Sequence, residues 1–197
     1  MFGSCEYRCW VVGVAHFRYF CDSKMDYLPK AYISQQVMHR QRFIRLSRLR
    51  KRINRKERSG GNMLAIGSDH GGFELKELVK EYLNRQNIPY QDYGTCSTAA
   101  VDYSDIGLEV AKGVAAGEAD TGIIICGTGI GISITANKVP GIRAALCTDS
   151  YMARMAREHN NANILALGGR VLGPELALDI VKTFIETPFS ESPRHQG

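Results

Sequence analysis

The chain has 197 residues and a formal net charge of +5 at pH 7. That length accommodates one ordinary domain with some additional sequence. The charge is uneven, since residues 1–62 carry 14 Lys and Arg against 4 Asp and Glu, whereas residues 63–197 carry 11 against 16. The excess of positive charge therefore lies in the N-terminal third, and the net charge does not indicate that the whole protein binds nucleic acid. No run of about 18 apolar residues occurs, so no transmembrane helix is predicted.

The six cysteines of the chain indicate neither a zinc site nor a secreted protein. They form no CxxC pair and no Cys/His cluster at zinc spacing, and Cys5 with Cys9 lacks a matching second half. Cys126 and Cys147 lie in apolar segments, where a free thiol behaves as a small hydrophobic side chain. We therefore expect a reduced protein of the cytoplasm.

The first 62 residues read as a basic extension that ends at the boundary Ser59–Asn62. Within residues 38–56, Phe43, Leu46, Leu49 and Ile53 recur at spacings of three and four, which predicts a basic amphipathic helix. Such a segment suits nucleic acid, an acidic membrane surface or a targeting presequence. The simpler interpretation is a poorly ordered appendage, or translated sequence upstream of a natural start at Met63.

From Met63 onward, apolar runs alternate with helical patterns. Five strands separated by helices predict right-handed βαβ units, hence a parallel sheet in a Rossmann-like, three-layer αβα sandwich. Ligands bind such sheets at the carboxyl ends of the strands, so the loops after each strand are the candidate site. The predicted strands are 64–67, 88–93, 121–126, 142–147 and 163–167, and the predicted helices are 73–86, 105–116, 130–138, 150–159 and 174–186.

Polar residues follow the first two predicted strands. Asp69 is either a helix N-cap or a ligand-binding residue, while His70 beside a glycine pair favours contact with a phosphate or sugar oxygen. After the second strand, Asp102 and Tyr103 are candidates to line a pocket. Equally, Ser104 or Asp105 would simply cap the next helix.

The most informative segment is the glycine loop that follows the third strand. Cys126 ends an apolar, β-branched run, and Gly127-Thr-Gly-Ile-Gly131 leads directly into a predicted helix. Backbone N–H groups converge in such a loop, and a thiol at its entrance combines a base or nucleophile with an anion site. Dinucleotide binding is the rival interpretation, but Ile132 stands where the third glycine of that motif belongs. A packed core thiol is the structural alternative for Cys126.

The remaining candidates lie towards the C-terminal part of the chain. His159 and Asn160 end a predicted helix, where a histidine also favours the negative end of the helix dipole. Arg170 follows the fifth strand, and Arg194 lies near the end of the chain. An arginine binds phosphate oxygens bidentately, although single arginines beside glycine turns are usually surface residues.

Together these motifs resemble one family, the type B ribose-5-phosphate isomerases, which include the subunits of galactose-6-phosphate isomerase. The similarity covers residues 63–196 and does not extend to residues 1–62. The motifs that carry it are Gly67-Ser-Asp-His-Gly-Gly72, Cys126-Gly-Thr-Gly-Ile-Gly-Ile-Ser133, Ala136-Asn-Lys138, Gly141-Ile-Arg-Ala144, His159-Asn160 and Arg194-His-Gln196.

The resemblance implies isomerisation of ribose 5-phosphate to ribulose 5-phosphate in the pentose phosphate pathway, without a metal or cofactor. It makes Cys126 the base that moves a proton between C1 and C2, and His159 the residue that assists ring opening. Thr128 and the backbone of Gly127, Gly129, Ile130 and Gly131 would stabilise the enediolate. Asp69, His70 and Asn160 match substrate-binding positions, and Arg194 matches a phosphate-binding arginine. In another branch the base is a glutamate at the position of Ile132, which leaves Cys126 as the candidate here.

The resemblance also implies an assembly, since the family builds its sites at a dimer interface. We therefore expect a homodimer or a homotetramer. Many relatives continue past Arg-His-Gln with a further arginine, whereas this sequence stops at Gly197, so a second phosphate contact is either missing or supplied by Arg170 or Arg143. A 6-phosphohexose isomerase and a non-catalytic sugar-phosphate-binding domain are the alternative functions, and the pairing of Cys126 with His159 argues against the second.

Overall fold

The structure is a computed structural model that describes residues 63–190 and 192–195. Within these residues, five strands and five α-helices alternate along the chain, followed by a short 3-10 turn. The strands are β1 Leu64–Ser68, β2 Tyr90–Asp92, β3 Thr121–Cys126, β4 Ala144–Leu146 and β5 Ile164–Gly168. The helices are α1 Phe73–Arg85, α2 Tyr103–Ala116, α3 Ile130–Ala136, α4 Ser150–Glu158 and α5 Pro174–Glu186, and the 3-10 turn is Pro193–His195.

All strand pairs of the sheet are parallel, in the order β2-β1-β3-β5-β4. The connection from β1 leads to one side of the sheet, and the connection from β3 leads to the other. The strand order therefore reverses between β1 and β3, where open α/β sheets bind their ligands. Asp69 and His70 follow β1, and Cys126 ends β3 directly before the glycine loop, as the sequence predicted.

Helices cover both faces of the sheet, which confirms the predicted three-layer sandwich. Side chains alternate between the faces along each strand, so Ile123 and Ile125 of β3 contact one core cluster while Ile124 and Cys126 contact the other. The first cluster includes buried residues of α1, α4 and α5, and the second includes buried residues of α2 and α3. Because both faces are covered, β1 and β5 are buried along their whole length.

Several element boundaries differ from the prediction, for identifiable reasons. Helix α2 begins two residues early because Asp102 is its N-cap and accepts a hydrogen bond from Ser104 N. The expectation that Ser104 or Asp105 caps this helix was wrong. Helix α3 ends at Ala136 because the Asn137 side chain pairs with both backbone groups of Ala144, at 2.8 and 2.9 Å.

The two edge strands are also shorter than predicted, with three residues each in β2 and β4. The predicted basic helix in residues 38–56 lies outside the described residues. Among the residues that the structure does describe, no helix is long and apolar enough to cross a membrane.

Candidate active site

Three loops interlock at the carboxyl end of the sheet, which is the side where the parallel strands end. The loop after β5 bonds to the loop after β3, since Gly169 N donates to Cys126 O at 2.8 Å and Arg170 N donates to Gly127 O at 3.0 Å. The loop after β1 joins them through Asp69 N, which donates to the carbonyl oxygen at the end of β3 at 3.3 Å. The loops after β1, β3 and β5 therefore form one connected surface.

Close approach of backbones explains the glycine pairs in these loops. A Cβ atom on Gly72 would lie 2.7 Å from the carbonyl carbon of Ile125, and one on Gly169 would lie 2.7 Å from Gly71 O. Real Cβ atoms essentially never come that close to backbone atoms. The glycines thus let the loop after β1 lie directly on the ends of β3 and β5.

Cys126 ends β3 with its side chain buried and 4% exposed. Its Sγ accepts a hydrogen bond from Gly129 N at 3.1 Å. Gly129 has a positive φ of 78°, and a Cβ atom there would lie 2.5 Å from Leu146 Cδ1. The sulfur is therefore held at the base of the glycine loop with a backbone N–H group directed at it.

Thr128 and Tyr103 complete the glycine loop. Thr128 is exposed, and its Oγ1 accepts a hydrogen bond from Ile130 N at 3.3 Å. The ring of Tyr103 lies against Gly131, where a Cβ atom would be 2.6 Å from Tyr103 Cε2. The start of α2 thus reaches the glycine loop and places the Tyr103 ring beside it. Ile130 is 52% exposed, so its side chain faces away from the core.

Asp69 and His70 occupy the loop between β1 and α1. Asp69 is buried and its Oδ1 accepts a hydrogen bond from Gly72 N at 3.0 Å. The N-cap of α1 is Gly72 and no side chain caps this helix, so the interpretation of Asp69 as the N-cap was wrong. His70 Nδ1 accepts from Val101 N at 3.3 Å, which leaves Nε2 as the nitrogen that carries hydrogen and can donate.

Of the two arginines considered for a second phosphate contact, only Arg170 lies at this end of the sheet. Its Nε and Nη1 atoms would lie 3.8 and 3.9 Å from a Cβ atom on Gly127, so the guanidinium lies beside the glycine loop. Arg143 instead precedes β4, and its Nε donates to Asn161 O at 2.7 Å. Arg143 therefore lies at the amino end of the sheet, where the strands begin.

His159, Asn160 and Arg194 also lie at the amino end of the sheet. His159 is the C-cap of α4, a helix that starts after β4 ends and finishes before β5 begins. The rings of His159 and His195 pack with centroids 4.2 Å apart, which places the turn containing Arg194 beside His159. Asn160 follows His159 and is exposed.

The structure thus divides the predicted site residues into two groups. The carboxyl-end group contains Cys126, the glycine loop, Asp69, His70, Tyr103 and Arg170, and the amino-end group contains His159, Asn160 and Arg194. The five residues of β5 separate the two ends by about 16 Å, at a rise of about 3.3 Å per residue. One copy of the chain therefore presents two partial sites and does not place Cys126 next to His159.

The second buried cysteine has different surroundings. Cys147 follows β4 and is 1% exposed. Burial, together with the nearby charge of Asp149, raises the pKa of the Cys147 thiol to about 11. Its sulfur points to a carbonyl oxygen, that of Ala145, at 3.8 Å. Cys147 therefore remains a neutral thiol in the core at physiological pH.

One charged cluster beside the site was not predicted from the sequence. Lys76 is fully buried in α1, and its Nζ donates to Asp92 Oδ2 and to Thr95 O, each at 2.8 Å. Burial by itself would raise the pKa of Asp92, but hydrogen bonds from Lys76, Gly94 N and Lys80 lower it. The helical spacing could have indicated that Lys76 is buried. Lys76 lies three residues before Val79 and seven before Leu83, which places it on the buried apolar stripe of α1.

The family model described as Ribose/Galactose Isomerase matches residues 64–197. Ribose-5-phosphate isomerase B of Escherichia coli is 47% identical over 133 residues, which cover 68% of this chain and 89% of that protein. The solved structure of Clostridium thermocellum ribose-5-phosphate isomerase B is 58% identical, with a TM-score of 0.67, and the match covers 68% of this chain and 90% of that one.

A relative with another substrate in its name matches the same part of the chain. The galactose-6-phosphate isomerase subunit LacB of Clostridium acetobutylicum is 42% identical over 134 residues, which cover 68% of this chain and 78% of that protein. The relatives are thus sugar phosphate isomerases, and their names include both pentose and hexose phosphates.

Proposed function

The chain belongs to the ribose/galactose isomerase family, and we propose that it interconverts ribose 5-phosphate and ribulose 5-phosphate. The observation that carries this proposal is the position of Cys126. Its sulfur lies at the end of β3, buried, with the N–H group of Gly129 directed at it. A mere binding domain needs no such thiol, whereas proton transfer between two carbon atoms needs a base in this place.

In the proposed reaction, Cys126 acts as a proton-transfer base. The thiolate removes the proton from C2 of the open-chain aldose, and the electron pair moves through a new C1–C2 double bond to O1. A proton then passes from O2 to O1. C1 takes the proton back from the thiol as the O2 carbonyl forms, so that the ketose leaves with all its atoms and the thiolate is restored.

The glycine loop is suited to the anion that forms during this transfer. The enediolate carries its charge on O1 and O2 only after the C2 proton has left, so N–H donors aimed there stabilise the transition state selectively. Loss of one such donor costs about 3–4 kcal/mol in other enzymes. We assign this role to the backbone of Gly127–Gly131 with the Thr128 hydroxyl.

The remaining groups serve ring opening and phosphate binding in this proposal. Arg170, beside the glycine loop, and His70, with a donor Nε2–H, lie at the same end of the sheet as Cys126. Ring opening is assigned to His159, and a further phosphate contact to Arg194, both at the opposite end. Because one chain separates these groups, we propose a homodimer or larger assembly in which the amino end of one copy faces the carboxyl end of another.

A second candidate is isomerisation of a 6-phosphohexose such as galactose or allose 6-phosphate. The 42% identity to the LacB subunit supports this second candidate. The chemistry at C1 and C2 is the same for both substrate classes, so Cys126 and the glycine loop do not discriminate between them. Discrimination depends on the distance between the reacting carbons and the phosphate.

The test is a steady-state isomerase assay on ribose 5-phosphate, galactose 6-phosphate and allose 6-phosphate, with the wild type and Cys126→Ala. We expect the highest kcat/KM on ribose 5-phosphate and its loss in the variant. A higher kcat/KM on a hexose phosphate would replace the proposal with the second candidate. Absence of turnover on all three substrates would favour the non-catalytic binding domain.

A further inference from the structure

Lys76 in α1 is a lysine whose entire side chain lies inside the protein, with 0% exposure. Lysines are almost never fully buried unless they are paired. Here Nζ donates to Asp92 Oδ2 and to the Thr95 carbonyl oxygen, each at 2.8 Å, and it lies 5.6 Å from the centroid of the Phe73 ring. The burial of this ammonium group therefore depends on partners in β2 and in the loop that follows it.

Lys80, one turn further along α1, shares one of these contacts with Lys76 and lacks the other. Its Nζ lies 2.9 Å from the same carboxylate, Asp92, and its side chain is 23% exposed. Asp92 would therefore keep a cationic partner if Lys76 were neutral. Among the described contacts, the bond to the Thr95 carbonyl belongs to Lys76 and not to Lys80.

Thr95 lies at the start of the loop after β2, where the chain is pressed against the end of β1. Thr95 N donates to Ser68 O at 3.0 Å. The neighbouring Gly94 leaves no space, because a Cβ atom there would lie 2.5 Å from Ser68 N. Lys76 thus fixes the loop next to the residue that immediately precedes Asp69 and His70.

The other end of the same loop contacts His70 directly. Val101 N donates to His70 Nδ1 at 3.3 Å, and Asp102 then caps α2. Residues 96–101 between the two contacts are all exposed. The loop therefore spans from Thr95 to His70 across the surface. It is held by the contacts at its two ends and by hydrogen bonds that link Thr95 to Ser97 and Ser97 to Ala99.

We propose that Lys76 is a positioning residue, which holds the Thr95 carbonyl so that the loop directs Val101 N–H at His70 and fixes its tautomer and orientation. The part that His70 plays towards a phosphosugar rests on the proposed function. The effect of Lys76 on the His70 ring does not, because it follows from contacts within the chain.

The first experiment reads the His70 ring without any substrate. We would record long-range ¹H–¹⁵N spectra of labelled wild type, Lys76→Met and Lys80→Met at pH 8, where an ordinary imidazole is neutral, with His70→Ala for assignment. In the wild type and Lys80→Met we expect the hydrogen on Nε2. In Lys76→Met we expect mixed tautomers. A His70 signal in Lys76→Met that is identical to the wild type would overturn the proposal.

The second experiment is a double-mutant cycle on ribose 5-phosphate. Lys76→Met should lower kcat/KM by about three- to tenfold, the worth of one hydrogen bond, and Lys80→Met should leave it within about twofold. In the His70→Ala background, Lys76→Met should have less than about a twofold effect. An equal loss in both backgrounds would mean a general structural role and would overturn the proposal. A wild type without turnover would refute the proposed function, while the spectra still decide the role of Lys76.

If Lys76→Met does not fold, Lys76→Gln replaces it in both experiments. Glutamine retains a hydrogen-bond donor for Asp92 but is shorter than lysine and stops short of the Thr95 carbonyl. We expect mixed His70 tautomers in this variant as well. A folded Lys76→Gln with the His70 tautomer of the wild type would overturn the proposal.

Discussion

The two ends of the sheet are built by different means. At the carboxyl end, loops contact one another backbone to backbone, as where Gly169 N donates to Cys126 O. At the amino end, side-chain amides add to backbone bonds such as Asn163 N to Arg143 O at 3.1 Å, since the Asn163 side chain accepts from Arg143 N at 2.8 Å and donates to Gly141 O at 2.9 Å. Close contact between backbones requires glycine and tolerates few substitutions, whereas amide side chains span longer distances between segments.

The chemistry is divided in the same way. The carboxyl end holds the buried sulfur of Cys126 within closely packed, glycine-rich loops, which suits its proposed role as a base that must be placed accurately. The amino end holds His159 and Arg194 on exposed turns, stabilised by the packing of His159 against His195. In the proposed mechanism neither end is sufficient alone, and each of the following predictions tests the difference between the two ends.

The largest effect is expected for Cys126→Ala. Removal of a general base costs about 10²–10⁴-fold in rate, and we expect a loss of kcat in this range on ribose 5-phosphate. Cys147→Ala is the matched control, because Cys147 is an equally buried thiol whose pKa of about 11 keeps it neutral. Equal kcat for Cys126→Ala and the wild type would remove the sulfur from the mechanism.

The next effect concerns the glycines at the two ends. Gly129 and Gly141 both have positive φ, of 78° and 88°. A Cβ atom on Gly129 would lie 2.8 Å from the backbone of Leu167, whereas one on Gly141 has no neighbour within 4 Å. We expect Gly141→Ala to lower the free energy of unfolding by about 1–2 kcal/mol, and Gly129→Ala by about 2–5 kcal/mol because crowding adds to the backbone strain.

Urea denaturation of the two glycine variants measures this difference. Equal losses of stability in the two variants would show that the carboxyl end is no more tightly packed than the amino end, and would contradict the proposed difference between the two ends.

The smallest effect is a difference in pH dependence. The pKa of Asp92 is lowered in the folded protein, so this carboxylate stabilises the fold at pH values above its ordinary pKa of about 3.8. The contribution is lost as the pH falls through the folded pKa. At pH 7 we expect Asp92→Asn to lower the free energy of unfolding by about 1.5–3 kcal/mol, the worth of hydrogen bonds to charged groups. This difference from the wild type should shrink as the pH falls below about 3.8 towards the folded pKa of Asp92.

Asn163→Ala is the control at the amino end. It removes two hydrogen bonds of a neutral amide, so its cost should be the same at pH 7 and pH 3. Denaturation curves at both pH values decide the matter, and a parallel pH dependence in the two variants would contradict the assignment of the charge network to the carboxyl end.

The fold was largely predictable from the sequence because β-branched runs such as Ile123–Ile125 are buried on both faces of the sheet. Boundaries were less predictable, since they depend on contacts distant in sequence, such as Asn137 with Ala144. The position of Lys76 required knowledge of where β2 lies, because its partners are 16 and 19 residues away.

The division of the candidate site was present in the sequence pattern, although individual motifs do not reveal it. Cys126 ends a strand, whereas His159 ends a helix and precedes a strand. In a parallel sheet these two positions lie at opposite ends, so the order of elements already separates Cys126 from His159. The proposed assembly of copies would bring the two residues together, and the sequence pattern of a single chain does not describe that assembly.

The most direct test of this account is complementation between two inactive variants. Cys126→Ala and His159→Ala are co-expressed with different tags, and the mixed assembly is purified by both and assayed on ribose 5-phosphate. If a site combines Cys126 of one copy with His159 of another, a mixed dimer contains one intact site and one doubly altered site, so the purified mixed dimer should have about half of the wild-type activity. Activity of the mixed protein no higher than that of the two parents would contradict the account.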